Sequence, residues 1–326
     1  MITEVKPIAA DQLTPNFFTR LKATGLYAHW HYDDWLQFMR WSKIDNPFRG
    51  NTPIAYGLYA DETILAYISF TYLPFIIKNR SEIVAACGDL SALSGCGLKE
   101  TLLFAHKAIK EKPTSLMVGF HFSQSTNAIW KRFGANAVQD SEKTFVKCIS
   151  IKNKIINRIF KNNFLSHNRP AQKIEWHETA ELEELFQQDY AAVDIATQRN
   201  INYLTWRYTD SPFAKNYYFV KTHDHNTLTG FAVLQKVAAD ARICEFTASA
   251  VHRQQLLSAC VQLAQRLGCI NLATKIIAPT YEKFWLQHHF KIVSKPYPQF
   301  LYVADADSAY RESRTALFSY GDFKLA

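Results

Sequence analysis

The sequence has no uninterrupted apolar run near the roughly 20 residues that cross a bilayer, which argues against a membrane-spanning helix. Its start, Met1–Pro7, carries Glu4 and lacks the basic-then-apolar order of a signal peptide, so a cytoplasmic location is expected. Six cysteines (Cys87, Cys96, Cys148, Cys244, Cys260 and Cys269) show no C-x-x-C pairing and mostly sit in apolar runs. That pattern fits reduced thiols and excludes a disulfide frame or a zinc site. No G-x-S-x-G elbow is present, so a hydrolase triad has no anchor. The groups His29-Trp30-His31, His223-Asp224-His225 and His288-His289 lack ligand spacing on one helical face, and no metal is expected.

What is present is a globular composition rich in aromatic residues, and a length of 326 residues that suggests two domains. The formal charge of +8 is concentrated in one place. Residues 151–172 contain Lys152, Lys154, Arg158, Lys161 and Arg169 and no acid, while the stretches on either side are close to balanced. Within this connector Ile151, Ile155, Ile156, Ile159, Phe160 and Phe164 recur at helical spacing. Such a basic amphipathic helix can lie on anionic lipid through 151–165, or it can bury its apolar stripe against the flanking domains.

Taken in order, residues 2–8 alternate like an edge strand, and Ala10–Ala23 and His31–Ser42 carry helical spacing. Ile54–Ala60 and Thr63–Leu73 read as a hairpin hinged at Asp61-Glu62, followed by a third strand over Glu82–Leu90. The pattern then recurs. Trp41-Ser42-Lys43-Ile44-Asp45-Asn46-Pro47-Phe48 returns as Trp206-Arg207-Tyr208-Thr209-Asp210-Ser211-Pro212-Phe213, both W-x-x-x-D-[NS]-P-F. Thr63–Ile68 parallels Thr227–Ala232, and Trp130–Ala135 parallels Trp285–Phe290. Three ordered echoes imply two copies of one fold, over 1–150 and 172–326, joined by 151–171. The repeated W-x-x-x-D-[NS]-P-F is read as packing at a helix exit, because proline restricts the residue before it and bulky aromatics there are usually buried.

The most informative stretch runs from Cys87 to Glu111. An apolar run ends in Cys87-Gly88-Asp89-Leu90-Ser91-Ala92-Leu93-Ser94-Gly95-Cys96-Gly97, and a helix follows with Leu98, Leu102, Leu103, Ala105, His106 and Ile109 spaced for one face. Strand, glycine turn and helix in that order suit an anion: glycines allow close approach, and a helix start supplies free N–H donors. Asp89 is a candidate base or, equally, a cap for the turn. His121 is a second candidate base or a half-buried strand histidine, and Glu82 a distant third.

This stretch resembles the GNAT acyltransferase superfamily, whose fourth strand runs into Arg/Gln-x-x-Gly-x-Gly/Ala. Here Ala92-Leu93-Ser94-Gly95-Cys96-Gly97 keeps both glycines and has alanine at the leading position. Ser115–Phe122, Ser125–Phe133 and Gly134-Ala135 match the next strand, helix and closing Gly-Phe. The resemblance implies an α/β (α+β) fold of two tandem GNAT-like domains, each a mixed, mostly antiparallel central sheet flanked by helices. It also implies an N-acyltransferase using acetyl-CoA or another acyl-CoA, with direct attack by an amine on the thioester in a ternary complex. Catalysis would fall to Asp89 and His121. The coenzyme would contact Leu90, Ser91, Ser94, Gly95, Cys96, Gly97, Leu98 and Lys99, with Ser123 and Trp130 from the elements beyond, and amides of Leu90 and Ser91 would face the carbonyl oxygen.

Where many members place a tyrosine that protonates the departing thiolate, this chain has Trp130, and its second copy Trp285; indole has no acidic proton. Tyr72, Ser123 or Ser125 could substitute, the thiolate could leave solvated, or the first copy is not catalytic. The second copy has Ser249-Ala250-Val251-His252-Arg253-Gln254 in place of the glycine turn, so copy one is expected to bind the acyl-CoA. Tyr203-Leu204-Thr205-Trp206-Arg207-Tyr208 and Gly321-Asp322 look similar to polysaccharide-locus GNAT proteins, which puts nucleotide- or lipid-linked amino sugars among the amine acceptors. A Fem-type aminoacyl transferase, also a paired GNAT fold, is an alternative, but the balanced charge of both domains argues against nucleic acid. A non-catalytic acyl-CoA-binding pair is another. A monomer or a homodimer is compatible with all of these.

Overall fold

The computed structural model describes residues 3–93, 95–111, 114–120, 130–132, 134–137, 143–149, 179–277, 279–294, 300–304 and 316–319. The connector 151–171, with its candidate lipid-facing stretch 151–165, lies outside them, as do Ser94, His121, Ser123 and Ser125.

The chain forms two compact units that interleave in sequence. One comprises Met1–Phe75, Ser81–Val138 and Tyr297–Ser313; the other comprises Ile76–Arg80, Gln139–Pro296 and Arg314–Ala326. A linear cut at residue 150 does not follow this division.

In the first unit, β1 (Thr3–Pro7), β2 (Ala55–Ala60), β3 (Thr63–Ile77), β4 (Arg80–Ala92) and β5 (Leu116–Phe120) lie side by side in that order. The β2–β3 pair is antiparallel, with Asp61 at φ 52° in its tight turn, and β4 runs parallel to β5. Helices α1 (Pro15–Ala23), α2 (Tyr32–Met39) and α3 (Leu98–Lys110) complete it. The expected helix over 10–23 begins only at Pro15. Thr14 accepts from the Phe17 amide as its N-cap, and proline fits the first turn, where no amide is needed. Asp33 and Asp34 occupy the first turn of α2, where they complement the helix dipole.

Aromatic rings tie α1 and α2 to the sheet: Phe17 meets Tyr67 edge-on at 5.4 Å, and Phe18 stacks on Trp35 at 5.0 Å. In α3 the buried face is Phe104, Ala105, Ala108 and Ile109. Leu103, expected on that face, is 60% exposed. The real stripe is rotated by one residue toward Phe104, whose larger ring fills the space beneath α3 against Met117 and Trp130.

The second unit repeats this order. Strands β9 (Tyr217–Asp224), β10 (Thr227–Val237), β11 (Asp240–Ala248) and β12 (Asn271–Ile277) are linked by two antiparallel pairings and then a parallel one. Helices α4 (Thr179–Tyr190), α5 (Ile201–Leu204), α6 (Arg253–Arg266) and α7 (Pro279–Gln287) accompany them. A short strand β8 (Ile195–Thr197) pairs parallel with β15 (Ala316–Ser319).

The outer part of each sheet is completed by a strand from the opposite half of the sequence. In the first unit β14 (Phe300–Ala304) lies between β5 and β6 (Asn136–Ala137), antiparallel to both. In the second, β7 (Lys143–Cys148) lies between β12 and β13 (Lys291–Ser294), again antiparallel to both.

The sequence echoes fold alike. After α2 and after α5 the chain makes a π-helical turn, Arg40–Ile44 and Thr205–Thr209, closed by Asp45 N–H to Arg40 O at 2.7 Å and by Asp210 N–H to Thr205 O at 2.9 Å. Asn46 and Ser211 each accept from the amide two residues on, at Phe48 and Phe213. Trp41 and Trp206 are buried, in keeping with a packing role for the repeated motif. At the third echo, Ala135 donates to Trp130 O and Phe290 to Trp285 O, both at 3.1 Å.

Candidate active site

The site is organised by β4. Val84, Ala85, Ala86 and Cys87 are buried, as expected for an interior strand with neighbours on both sides. Pairing with β5 runs from Ala85↔Met117 to Cys87↔Gly119. Gly88–Ala92 continue beyond that last pair while β4 keeps its course along β3, where Leu93 donates to Leu65 O at 2.8 Å. Among the described residues, the β4–β5 pairing ends one residue before Gly88.

The chain then turns. Cys96 donates to Leu93 O at 3.2 Å, Gly95 adopts φ 89°, and Gly97 is the extended N-cap of α3. Gly95 needs glycine for its backbone angle, since L-residues rarely adopt it. Gly95, Gly97 and Lys99 are exposed, and no side chain caps the α3 start, so the first-turn amides of a 13-residue helix face outward. One group is discordant. The Glu100 carboxylate folds back so far that a Cβ on Gly97 would lie 2.5 Å from its Oε2. A carboxylate at this position complements the helix dipole and occupies the place an anion would take.

On the face of the sheet carrying α1 and α2, polar groups converge on Asp89. Tyr27 Oη donates to Asp89 Oδ2 at 2.5 Å, and the Asp89 amide donates to Ser69 Oγ at 3.1 Å. Burial holds the Asp89 carboxyl above its ordinary pKa, partly offset by the Lys43 charge and the Tyr27 hydrogen bond. Burial, with the Asp89 charge second, raises both Tyr27 and Tyr67 well above the usual phenol range. Lys43 is 2% exposed and donates to Thr71 Oγ1 at 2.5 Å; burial lowers its pKa to about 8 against the opposing pull of Asp89 and Cys87. Burial pushes the Cys87 thiol up to about 12, so it is no ready nucleophile.

The remaining expected residues separate. Leu90 is half-buried against the core, and Ser91 is buried with its hydroxyl donating to Thr24 Oγ1 at 3.0 Å. Cys96 lies 3.3 Å from Thr101 Oγ1 across the helix start. The backbone of Leu98 is the first residue of α3. Trp130, expected to touch the coenzyme, is 1% exposed and shares a core cluster with Phe104, Met117 and Ala135. Tyr72 cannot serve as a proton donor where it stands: it is buried, its hydroxyl donates to Pro53 O at 2.5 Å, and its pKa is raised to about 12. Glu82 is half-buried near the start of β4, well before the glycine turn.

The second unit offers an internal comparison. Ser249 donates to Thr229 O as Leu93 does to Leu65 O, and pairing of β11 with β12 ends at Ile243↔Thr274 as that of β4 with β5 ends at Cys87↔Gly119. Glu245 thus stands where Asp89 stands, and Cys244 where Gly88 stands. Glu245 is locked in a buried ion pair with Arg199, Nε to Oε2 at 2.5 Å, and its other oxygen accepts from Tyr208 at 2.5 Å. The turn is closed by side chains: Ser249 Oγ lies 2.7 Å from His252 Nδ1, Arg253 Nε donates to Ala248 O at 3.3 Å, and the Arg253 guanidinium sits 4.6 Å from the Tyr281 ring. Among the described residues no cluster of three metal-ligating side chains occurs, and no helix is long and apolar enough to cross a membrane.

No protein-family model matches the sequence, and a search of curated proteins finds no relative. Solved structures are similar in fold. One from Enterococcus faecalis V583, described as a conserved protein of unknown function and probable N-acyltransferase, superposes with a TM-score of 0.60 at 8% identity. GCN5-related N-acetyltransferases from Kribbella flavida and Anabaena variabilis give 0.60 at 12% and 0.62 at 10%. The similarity covers 92–93% of this chain and 72% of each of the others. The chain therefore has a mixed α/β, GNAT-like fold in two domains.

Proposed function

We propose that the chain is an acyl-CoA-dependent N-acyltransferase, in its simplest form an acetyltransferase, with the coenzyme held by the first unit and the acyl group passed to a small-molecule amine. The observation that carries this reading is the outward-facing glycine turn that joins the central strand β4 to the start of α3. A thioester arm can lie along the end of β4, and its diphosphate can meet the α3 amides. The residues fit such a group except at Glu100, whose carboxylate must swing away when a diphosphate arrives.

Bound acyl-CoA would supply an activated carbonyl and a thiolate leaving group. Asp89, with its pKa raised by burial, takes the proton from the attacking amine, and Tyr27 fixes the carboxylate's orientation. Amides of Leu90 and Ser91 donate toward the carbonyl oxygen as it gains charge. The second unit, with its carboxylate neutralised and its turn closed, is a duplicate that keeps the fold and has lost the coenzyme site. Matched hydrogen bonds at the sequence echoes support that common origin. An amino sugar, nucleotide- or lipid-linked, is the acceptor class to try first.

Thermal melting of the full chain with acetyl-CoA tests the reading. Ligand at about 100 times its dissociation constant adds about 2.7 kcal/mol of stability, a shift of several degrees. No shift with millimolar acetyl-CoA or coenzyme A would remove the proposal.

A further inference from the structure

The second unit carries a cavity that the mechanism above does not use. It lies between α4 and residues 198–200, has a volume of about 140 Å³, and the described residues around it all belong to that unit. Helix α4 supplies one wall, because Glu183, Phe186, Gln187 and Tyr190 fall three or four residues apart on a single face. The facing wall is set by Arg199. Its amide donates to Tyr190 Oη at 2.6 Å, its Nη1 donates to Thr197 O at 2.9 Å, and its Nε pairs with Glu245 Oε2. Gln198 and Asn200, which flank it in the chain, also border the cavity.

The polar groups decide what can enter. The Arg199 charge is cancelled by the buried Glu245 carboxylate. Glu183 is exposed and has no ion-pair partner among the described residues, so one negative charge remains at the rim. Gln187 is exposed as well, and Asn200 accepts from the Tyr203 amide through Oδ1, which leaves its Nδ2 as a donor. Phe186 and Tyr190 are 2% and 3% exposed and hold their rings within 13° of parallel, an apolar floor beneath these groups. An anion would meet Glu183, and a plain hydrocarbon would cover the amides without bonding them. A closed cavity of about 150 Å³ holds one benzene-sized ring, so a single six-membered ring suits this one. We propose that the cavity binds a protonated amine carrying hydroxyl groups, of the size of one hexosamine ring. The ammonium pairs with Glu183, hydroxyls accept from the Gln187 and Asn200 amides, and the apolar face of the ring rests on Phe186 and Tyr190. The site needs no coenzyme and is independent of the acyltransferase reading.

The test is an NMR titration of the full chain, carrying nitrogen-15 in its Gln and Asn side chains, with glucosamine, glucose and glucuronate at neutral pH. Glucosamine should saturate at millimolar concentration and bind about threefold tighter than glucose, the size of one exposed ion pair. Glucuronate should bind most weakly. Glu183→Gln should abolish the preference for glucosamine and leave glucose binding unchanged, whereas Gln187→Met should weaken both. Both positions are exposed on α4, so neither change threatens the fold. No saturable binding of glucosamine, glucuronate binding as tightly as glucosamine, or a preference that survives Glu183→Gln overturns the proposal. None of these outcomes touches the acyl-CoA reading, which the melting experiment with acetyl-CoA decides separately.

Discussion

In the proposed reaction Asp89 and Glu100 pull the site in opposite directions, one as the base and the other as a charge in the way. Asp89→Asn removes the proton acceptor while keeping the shape, so turnover should fall by about 10²–10⁴ with coenzyme A affinity unchanged. Equal losses in affinity and turnover would mark Asp89 as a structural cap. Glu100→Gln should tighten coenzyme A binding severalfold, because a carboxylate at a helix start contributes about 0.3–1 kcal/mol and competes with the diphosphate. Lys43 has its own signature in stability. Its folded pKa of about 8 lies below the ordinary 10.5, so from pH 8 to 10.5 the unfolded chain binds the extra proton and stability rises with pH. The melting temperature of the wild type should climb over that window relative to Lys43→Arg, which stays charged in both states. Gly95, Gly97 and Asp89 were legible in sequence because turn chemistry is local. Tyr27 and Lys43 were not: they reach Asp89 from other elements, and Lys43 lay inside a motif whose aromatic residues read as packing.

Among the elements, the exchanged strands β7 and β14 matter most. Each closes the sheet of the unit to which its own half of the sequence does not belong, so residues 1–150 alone would lack β14 and carry β7 with nothing to pair. That fragment is expected to aggregate or remain partly unfolded, and co-expression with 172–326 should restore a cooperative melt. A fragment 1–150 that melts cooperatively as a monomer would contradict this. The N-cap of α1 is a smaller contribution: Thr14→Ala should cost about 1 kcal/mol by urea unfolding. Strand and helix identities followed from periodicity. The exchange could not, because β7 reads the same whichever sheet it joins. The α3 stripe missed by one residue because Leu102 and Leu103 are both apolar, and only the sheet beneath decides which face is buried.

At the scale of the whole molecule, two units share a run of four neighbouring strands, a π-helical turn, a buried tryptophan after the last of those strands and a carboxylate on the third. They differ in what surrounds the carboxylate. In one it precedes an open glycine turn; in the other it is neutralised by Arg199. Asymmetry between like folds predicts one coenzyme A per chain. The most direct measurement is titration calorimetry of the full chain with coenzyme A, on the wild type, Gly95→Val and Val251→Ala. The account predicts one site, lost or weakened at least tenfold by valine at a φ of 89°, and untouched by the change at Val251. Two sites, or one that survives Gly95→Val and responds to Val251→Ala, would contradict it.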